Sequence, residues 1–179
     1  MKKAEPTEHA EQCAVMTWAA LNAAKWPCLR LLYAVPNGAF FGDGVKHLKN
    51  GKTVALSVLR SKHQKAEGLK EGVPDLCLPV PSGVAHRGLY IELKRRTLGK
   101  PSAMQVWWRQ CLILMGYRAE LCHGAAAAIE VLHQHVLHAP KTTLPEMPPP
   151  SQKAARKMNT PRERQARIRS PWKPKIPMA

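Results

Sequence analysis

The stretch from Gly72 to Lys94, GVPDLCLPVPSGVAHRGLYIELK, constrains the fold of this chain more strongly than any other. Two apolar runs, at 76–78 and 89–91, flank a segment that is rich in proline, serine and glycine. Extended runs on either side of such turn chemistry predict a β-hairpin. Because strand side chains alternate between faces, Glu92 and Lys94 should share one face of the second strand.

Antiparallel pairing of these strands would place Asp75, at the start of the first run, beside Glu92, with Lys94 close to both. Two carboxylates a few ångströms apart repel each other, and one takes up a proton unless a cation pairs with them. Mg²⁺ is usually held by one or two carboxylates together with water and substrate phosphate. Water bound to such a cation is a better nucleophile, and charge that develops on a phosphate is stabilised. The hairpin therefore predicts a metal site suited to phosphate chemistry, in which Lys94 orients or helps to deprotonate the water.

Pro74-Asp75 followed by Glu92-Leu93-Lys94 resembles the PD-(D/E)xK nuclease signature. Because these two short motifs occur by chance in many chains, a stronger resemblance is carried by five blocks in order. The blocks resemble the VRR-NUC (virus-type replication-repair nuclease) branch, and they comprise Glu8–Gln12, Val35–Gly38, Lys65–Asp75, Ile91–Lys94 and Ser102–Gln105. The resemblance covers roughly residues 5–138. It implies an α/β fold with a restriction-endonuclease-like αβββαβ core, in which a mixed sheet is flanked by helices.

The resemblance also implies which groups bind a divalent metal. Mg²⁺ or Mn²⁺ would be held by Asp75, Glu92 and the backbone carbonyl of Leu93, and a carboxylate from the first helix would join them directly or through water. Glu8 is the predicted residue of that helix, and Glu11 stays open as the alternative. From the residues alone, both acids are also explained as solvated first-turn carboxylates that the helix dipole favours.

Two further side chains have roles that the resemblance implies. Lys94 positions the attacking water. Gln105 supports the metal site or the phosphate, although the sequence alone also fits an exposed first-turn glutamine. Asn37 contacts DNA or supports the turn in which it lies. The other predicted DNA contacts are cations close to the motifs, namely Lys65, Arg95, Arg96 and Lys100.

Stand-alone members of this family resemble Holliday-junction resolvases, which act as dimers. The resemblance therefore implies a DNA endonuclease selective for branched DNA, with a role in DNA repair in a bacterial, phage or prophage context. A homodimer would use Trp107 or Trp108 as a contact. Two alternatives remain open: a nuclease for flaps, nicks or unspecific DNA, and a non-catalytic DNA-binding protein whose acidic patch only pairs with Lys94.

Composition agrees with a nucleic-acid partner. The 179 residues include 28 Lys and Arg against 12 Asp and Glu, which gives a net charge of +16. No apolar run approaches the roughly 18 residues needed to cross a bilayer, and the amino terminus lacks the apolar core of a signal peptide. We therefore expect a cytoplasmic protein without a membrane segment. Its five cysteines form no CxxC pair, so we expect reduced thiols and no structural zinc.

The sequence predicts a nuclease domain over 5–138 and a tail over 139–179. Nine of the 16 prolines lie in the tail, which has few bulky apolar residues and ten Lys and Arg against two Glu. Such a composition predicts a disordered segment that grips phosphates without sequence preference. The other predicted elements, in order, are a helix at 7–24, a strand at 28–35, a small hairpin within 40–59, a short helix at 61–69, a helix at 102–116, a strand at 117–122 and a helix at 124–137.

Overall fold

The computed structural model describes residues 5–35, 45–47, 53–55, 58, 63–97, 99–145 and 148. All of its named elements belong to one compact unit, Met1–Leu144, and a second unit comprises Pro145–Ala179. The elements are α1 (Glu8–Asn22), a 3-10 helix (Pro27–Leu31), β1 (Tyr33–Ala34), β2 (Val45–His47), β3 (Thr53–Ala55), β4 (Leu76–Leu78), β5 (Leu89–Lys94), α2 (Ala103–Leu114), β6 (Arg118–His123) and α3 (Ala125–Leu137). Most of the predicted tail lies outside the described residues, so its disorder stays a prediction.

Four strands form a mixed sheet in the order β1-β4-β5-β6. Strands β4 and β5 are antiparallel, with Leu76 opposite Ile91, and this pairing confirms the predicted hairpin. Strand β6 runs parallel to β5 along all of its length, because α2 carries the chain back across the sheet. Strands β2 and β3 form a separate antiparallel pair, as the predicted small hairpin between 40 and 59 requires.

Helices cover both faces of this sheet, which confirms the predicted α/β class. Leu89, Ile91 and Leu93 of β5 join a buried apolar cluster with residues of α1 and α3. Leu132 of α3 and Val15 of α1 are fully buried within it. Helix α2 packs against β6 and covers the face of β5 that carries Glu92. The central strand is consequently withdrawn from water on both sides.

Local signals explain most of the helix boundaries. Thr7 caps α1, because its Oγ1 accepts a hydrogen bond from the backbone N–H of Ala10 at 3.2 Å. The predicted helices over 102–116 and 124–137 are confirmed as α2 and α3, and residues 63–66 of the predicted short helix are helical. None of the helices in the described part of the chain is both long and apolar enough to span a membrane.

The predicted strand over 28–35 is wrong for most of its length. Pro27–Leu31 forms a 3-10 helix, and only Tyr33–Ala34 pairs with β4. Pro27 at the start of this turn fixes φ in a range that suits a helix, and it donates no backbone hydrogen bond. Leu29 and Leu32 are buried at a spacing of one 3-10 turn, which a strand could not place on one face.

Candidate active site

The hairpin register brings the two predicted carboxylates together. Continuation of the pairing of Leu76 with Ile91 sets Asp75 opposite Glu92. Asp75 Oδ2 accepts a hydrogen bond from the backbone N–H of Leu93 at 2.8 Å. The side chain of Asp75 therefore continues the hydrogen bonding just before the start of β4. On its other side, the carbonyl of Asp75 accepts from the backbone N–H of Val35 at 2.8 Å, so the residue is fixed between two strands.

Glu92 lies at the centre of this polar cluster and is 5% exposed. Its Oε1 accepts hydrogen bonds from Lys94 Nζ, at 2.5 Å, and from Gln105 Nε2. Its Oε2 is buried and has no hydrogen-bond partner among the described residues. Lys94 is 8% exposed and lies on the same face of β5, as the alternation of strand side chains predicts. One oxygen of Glu92 is thus held by two donors, while the other is left for a further partner.

The electrostatic environment of Glu92 reflects its burial and its neighbours. The pKa of its carboxyl is raised to about 7: burial is the largest cause and the charges of Asp75 and Glu8 add to it, whereas the hydrogen bond and charge of Lys94 lower it. A raised carboxyl pKa means that the ionised form is poorly stabilised. The carboxyls of Asp75, Glu8 and Glu92 outnumber the one ammonium of Lys94 in this cluster, so it is suited to accept another cation.

The amino-terminal cap of helix α2 places the side chain of Gln105 next to Glu92. Ser102 Oγ accepts from the backbone N–H of Gln105 at 3.3 Å, and Gln105 Oε1 accepts from the backbone N–H of Ser102 at 2.8 Å. This capping box fixes the side chain of Gln105 and aims its Nε2 at Glu92. The alternative of a freely exposed first-turn glutamine does not describe this side chain.

Two glycines permit the close packing around the site. Gly72 has φ of +80°, and a Cβ there would lie 2.7 Å from Met104 Cβ, at the start of α2. This approach of α2 was not predicted from the sequence. A Cβ on Gly99 would lie 2.6 Å from Lys94 Cβ, so the loop after β5 folds back on the lysine. Gly99 was not predicted, and the signal that could have found it is a glycine a few residues after the ExK motif.

The two acids of α1 have different surroundings. Glu8 is exposed, and its Oε1 accepts from the backbone N–H of Arg95 at 3.3 Å. Glu11 is 3% exposed, and both of its oxygens are used: Oε1 accepts from Arg96 Nε at 2.7 Å, and Oε2 accepts from the backbone N–H of Ala125 at 2.8 Å. Glu11 therefore joins α1 to α3 and to the loop after β5, whereas Glu8 lies at the edge of the site.

The predicted DNA-contacting residues are only partly grouped. Arg95 and Lys100 are exposed on the loop that follows β5, and Lys65 is exposed in the helical turn at 63–66. Arg96 is on the same loop, but its guanidinium pairs with Glu11. Asn37 lies outside the described residues.

The residues present fit a hard divalent cation. No group of three or more His, Cys, Asp or Glu side chains in the described ranges is arranged to hold a metal ion. Mg²⁺, however, needs only one or two carboxylates when water and phosphate supply its other oxygen ligands. Asp75 and Glu92 supply two, and the unpartnered Oε2 of Glu92 is an oxygen donor without another role among the described contacts.

Known proteins of similar sequence and fold identify the family of this chain. The sequence matches the family model of the VRR-NUC domain over residues 7–126. The chain belongs to the VRR-NUC family. A solved structure described as a VRR-NUC domain protein is 23% identical, with a TM-score of 0.57, over 76% of this chain and 93% of that chain, and it supports the fold. A comparison with curated proteins finds no match. The family confirms the resemblance carried by the five blocks and indicates a nuclease of the PD-(D/E)xK type that acts on DNA.

Proposed function

We propose that this VRR-NUC domain is a DNA endonuclease that hydrolyses phosphodiester bonds with the help of Mg²⁺ or Mn²⁺. One observation carries the proposal: the hairpin register sets Asp75 beside Glu92, and Glu92 keeps a buried oxygen without a partner among the described residues. A structural ion pair with Lys94 would explain one oxygen of Glu92. It would not explain why a second carboxylate lies beside Glu92, or why the second oxygen of Glu92 is buried without a partner among the described residues.

Asp75, Glu92 and the backbone carbonyl of Leu93 would hold the cation, and Glu8 would add a carboxylate directly or through water. Glu8 is favoured over Glu11 because both oxygens of Glu11 already accept hydrogen bonds. When bound, the cation would lower the pKa of a water and neutralise charge that develops on the phosphate.

Lys94 and Gln105 position the reacting groups in this proposal. The ammonium of Lys94 is within 2.5 Å of Glu92 Oε1, and Gly99 holds the loop after β5 against its side chain. An attacking water beside Glu92 would therefore lie within reach of Lys94, which orients it. Gln105 holds the carboxylate of Glu92 in one orientation through a second donor. Arg95 and Lys100 lie on the adjacent loop, where their exposed cations would contact the DNA backbone.

Branched DNA is the proposed substrate, and a homodimer is the proposed active form. Two symmetric cuts across a junction need two sites in a fixed relation, which a twofold axis supplies. Helix α2 offers a surface for this contact, because six apolar side chains of α2 and its C-cap are 41–80% exposed: Met104, Val106, Trp107, Ile113, Leu114 and Met115.

Charge does not oppose this contact. The only charged residue of α2, Arg109, donates from Nε to the carbonyl of Ala119 at 2.9 Å. The exposed apolar area is on the order of the 800 Å² per partner that a standard interface buries. The two tryptophans differ in their surroundings: Trp107 is 52% exposed, whereas Trp108 Nε1 donates to the carbonyl of Glu71 at 3.0 Å.

Cleavage of a fluorescent four-way junction, a flap and a plain duplex tests the catalytic proposal. Each substrate is incubated with Mg²⁺, Mn²⁺ or EDTA and with wild type, Asp75→Ala or the control Glu130→Ala, which removes an exposed acid from α3. We expect metal-dependent, paired cuts in the junction that Asp75→Ala loses and the control keeps. Cutting confined to the flap would retain the nuclease and reject the resolvase. Equal cutting by Asp75→Ala would reject the assigned catalytic site, whereas binding of DNA without any cutting would leave the non-catalytic alternative.

The dimer is tested separately by light scattering during size-exclusion chromatography. Trp107→Glu should convert the dimer to a monomer and replace paired cuts by single nicks. Leu21→Glu is the matched control, because Leu21 is 73% exposed on α1. A wild-type monomer that still makes paired cuts would contradict the proposed dimer.

A further inference from the structure

A groove lies beside the ends of α1 and α3, away from the carboxylates. The segment after α1, the start of the 3-10 helix and the residues after α3 enclose a groove of about 750 Å³. Its lining includes an aromatic ring, three cations and two hydroxyls, from Trp26, Lys25, Arg30, Lys141, Thr142 and Thr143. No acidic side chain is present among the described residues that line the groove.

The aromatic ring in this groove is held firmly. Trp26 stacks on Trp18 with ring centroids 6.3 Å apart, and it meets the ring of His133 edge-on at 5.0 Å. The ammonium of Lys25 lies 4.3 Å from the centroid of Trp26. Lys25 is an exposed side chain with long, flexible methylenes, so it can move aside and uncover the ring area beneath it.

We propose that this groove binds an unpaired nucleic-acid strand, with a base against Trp26 and phosphates on Lys25, Arg30 and Lys141. Sites for single strands combine a cationic groove with aromatic rings on which bases stack. A duplex keeps its bases inside the stack and could use the cations but not the ring. The hydroxyls of Thr142 and Thr143 can donate to phosphate oxygens, which neutral side chains often contact.

The groove is separate from the catalytic cluster. Glu8 and Asn22 are the first and last residues of α1, whose 15 residues span about 22 Å at 1.5 Å per residue. A strand in the groove would therefore contact the protein well outside the reacting phosphate. Binding there requires neither a metal nor cleavage, so the inference goes beyond the proposed hydrolysis and can be tested without it.

The test measures binding of a fluorescent oligothymidylate by anisotropy, in EDTA and over a range of salt concentrations. Lys25→Ala/Arg30→Ala should weaken binding and reduce the slope of log affinity against log salt by about 1.4, since each lost single-strand phosphate contact removes about 0.7. Arg87→Ala is the matched control for Arg30→Ala, because Arg87 is an exposed cation between β4 and β5 that does not line the groove. It should leave the slope unchanged, whereas Arg30→Ala alone should lower it.

The ring is tested with Trp26→Leu and Trp26→Phe. Trp26→Leu should lose roughly tenfold in affinity and Trp26→Phe should keep most of it, because stacking needs a flat ring. Trp26 also packs on the apolar core, so the melting temperature of each variant is measured and an oligonucleotide containing 5-iododeoxyuridine is cross-linked to wild type. A cross-link mapped to Trp26 in wild type supports the site whether or not the Trp26 variants lose stability.

Several results would overturn the inference. They are unchanged salt slopes in the cation variants, an equal loss of affinity and slope in Arg87→Ala, or cross-links that map only to other residues. A polyglutamate peptide that competes for the groove as well as an unlabelled oligonucleotide would also overturn it. The last result would indicate a site for acidic peptides. If wild type cuts no DNA but the groove variants lose binding, the proposed hydrolysis fails while this site stands.

Discussion

The two faces of strand β5 are buried to nearly the same extent but differ in chemistry. On one face, Leu89, Ile91 and Leu93 are 1–2% exposed and lie in the apolar core. On the other, Glu92 and Lys94 are 5% and 8% exposed and lie in a polar cluster. Burial of the apolar face stabilises the fold. Burial of the polar face destabilises it unless every charge is compensated, and one oxygen of Glu92 has no described partner. A single strand thus stabilises the fold through its apolar face and destabilises it through the buried charges of its polar face.

The largest expected effect comes from the polar face. Glu92→Gln keeps the shape of the side chain and the acceptor for Lys94, but it removes the charge that would bind the cation. We expect metal-dependent cleavage to fall by at least about 10²-fold without loss of the fold. The measurement is the single-turnover rate beside circular dichroism, with Glu130→Gln as the control on exposed α3. Cleavage at the wild-type rate would show that Glu92 is not a ligand.

The apolar face should respond in the opposite way. Ile91→Ala leaves a cavity in the core and should lower the free energy of unfolding by about 2–5 kcal/mol. Cleavage per folded molecule should stay near the wild-type value, since Ile91 points away from Glu92. Urea denaturation measures the stability. Val84→Ala is the control, because Val84 is fully exposed in the turn between β4 and β5, and it should change stability by less than about 0.5 kcal/mol. An Ile91→Ala protein that is fully stable yet inactive would reverse the assignment of the two faces.

A smaller effect is expected from the residue that orients Glu92. Gln105→Ala removes a donor to the carboxylate and should weaken Mn²⁺ binding by about 10- to 100-fold, as loss of outer-shell partners does. Ser102→Ala is the matched comparison, because it removes the other half of the capping box and costs about 1 kcal/mol of helix stability. Calorimetric titration with Mn²⁺ distinguishes the two roles. Equal losses in both variants would mean that Gln105 acts only as a helix cap.

The smallest expected effect is a dependence of stability on pH. Burial raises the pKa of Glu92 from 4.5 to about 7. Between these pH values the folded protein binds a proton that the unfolded chain does not, so this group lowers stability as pH rises from 4.5 to 7 and adds no further loss above 7. In EDTA, the melting temperature of Glu92→Gln relative to wild type should therefore rise by a few °C from pH 5 to pH 7 and then level off. A difference that is constant with pH would show that Glu92 does not titrate in this range.

Local patterns predict the hairpin and the approach of its carboxylates. The alternation of β5 and the prolines of the turn fix the register, so Asp75 and Glu92 follow from nearby residues alone. The helix that carries Gln105 also follows from a local signal, the cap at Ser102. Its contact with Glu92 was implied by the family resemblance, because it depends on how closely α2 approaches at Gly72.

Other features depend on residues distant in the sequence. Glu8 and Glu11 are equivalent first-turn acids until Arg96 and Ala125, which follow far along the chain, occupy both oxygens of Glu11. The strand predicted over 28–35 failed because Pro27 and the buried pair Leu29 and Leu32 favour a 3-10 turn over the strand propensity of the apolar run. The groove at Trp26 could not be predicted, since its cations come from both ends of the domain.

The acids meet within one hairpin, whereas β5 meets β6 only after the chain has crossed over through α2. Hairpins close in about 1–10 μs, and parallel pairing across a longer loop is slower. Asp75 and Glu92 should therefore come together while water still screens their repulsion, and α2 should remove that water only when it docks. Because α2 docks onto a hairpin that has already formed, the electrostatic cost of desolvating the site opposes the docking of α2 rather than the closing of the hairpin.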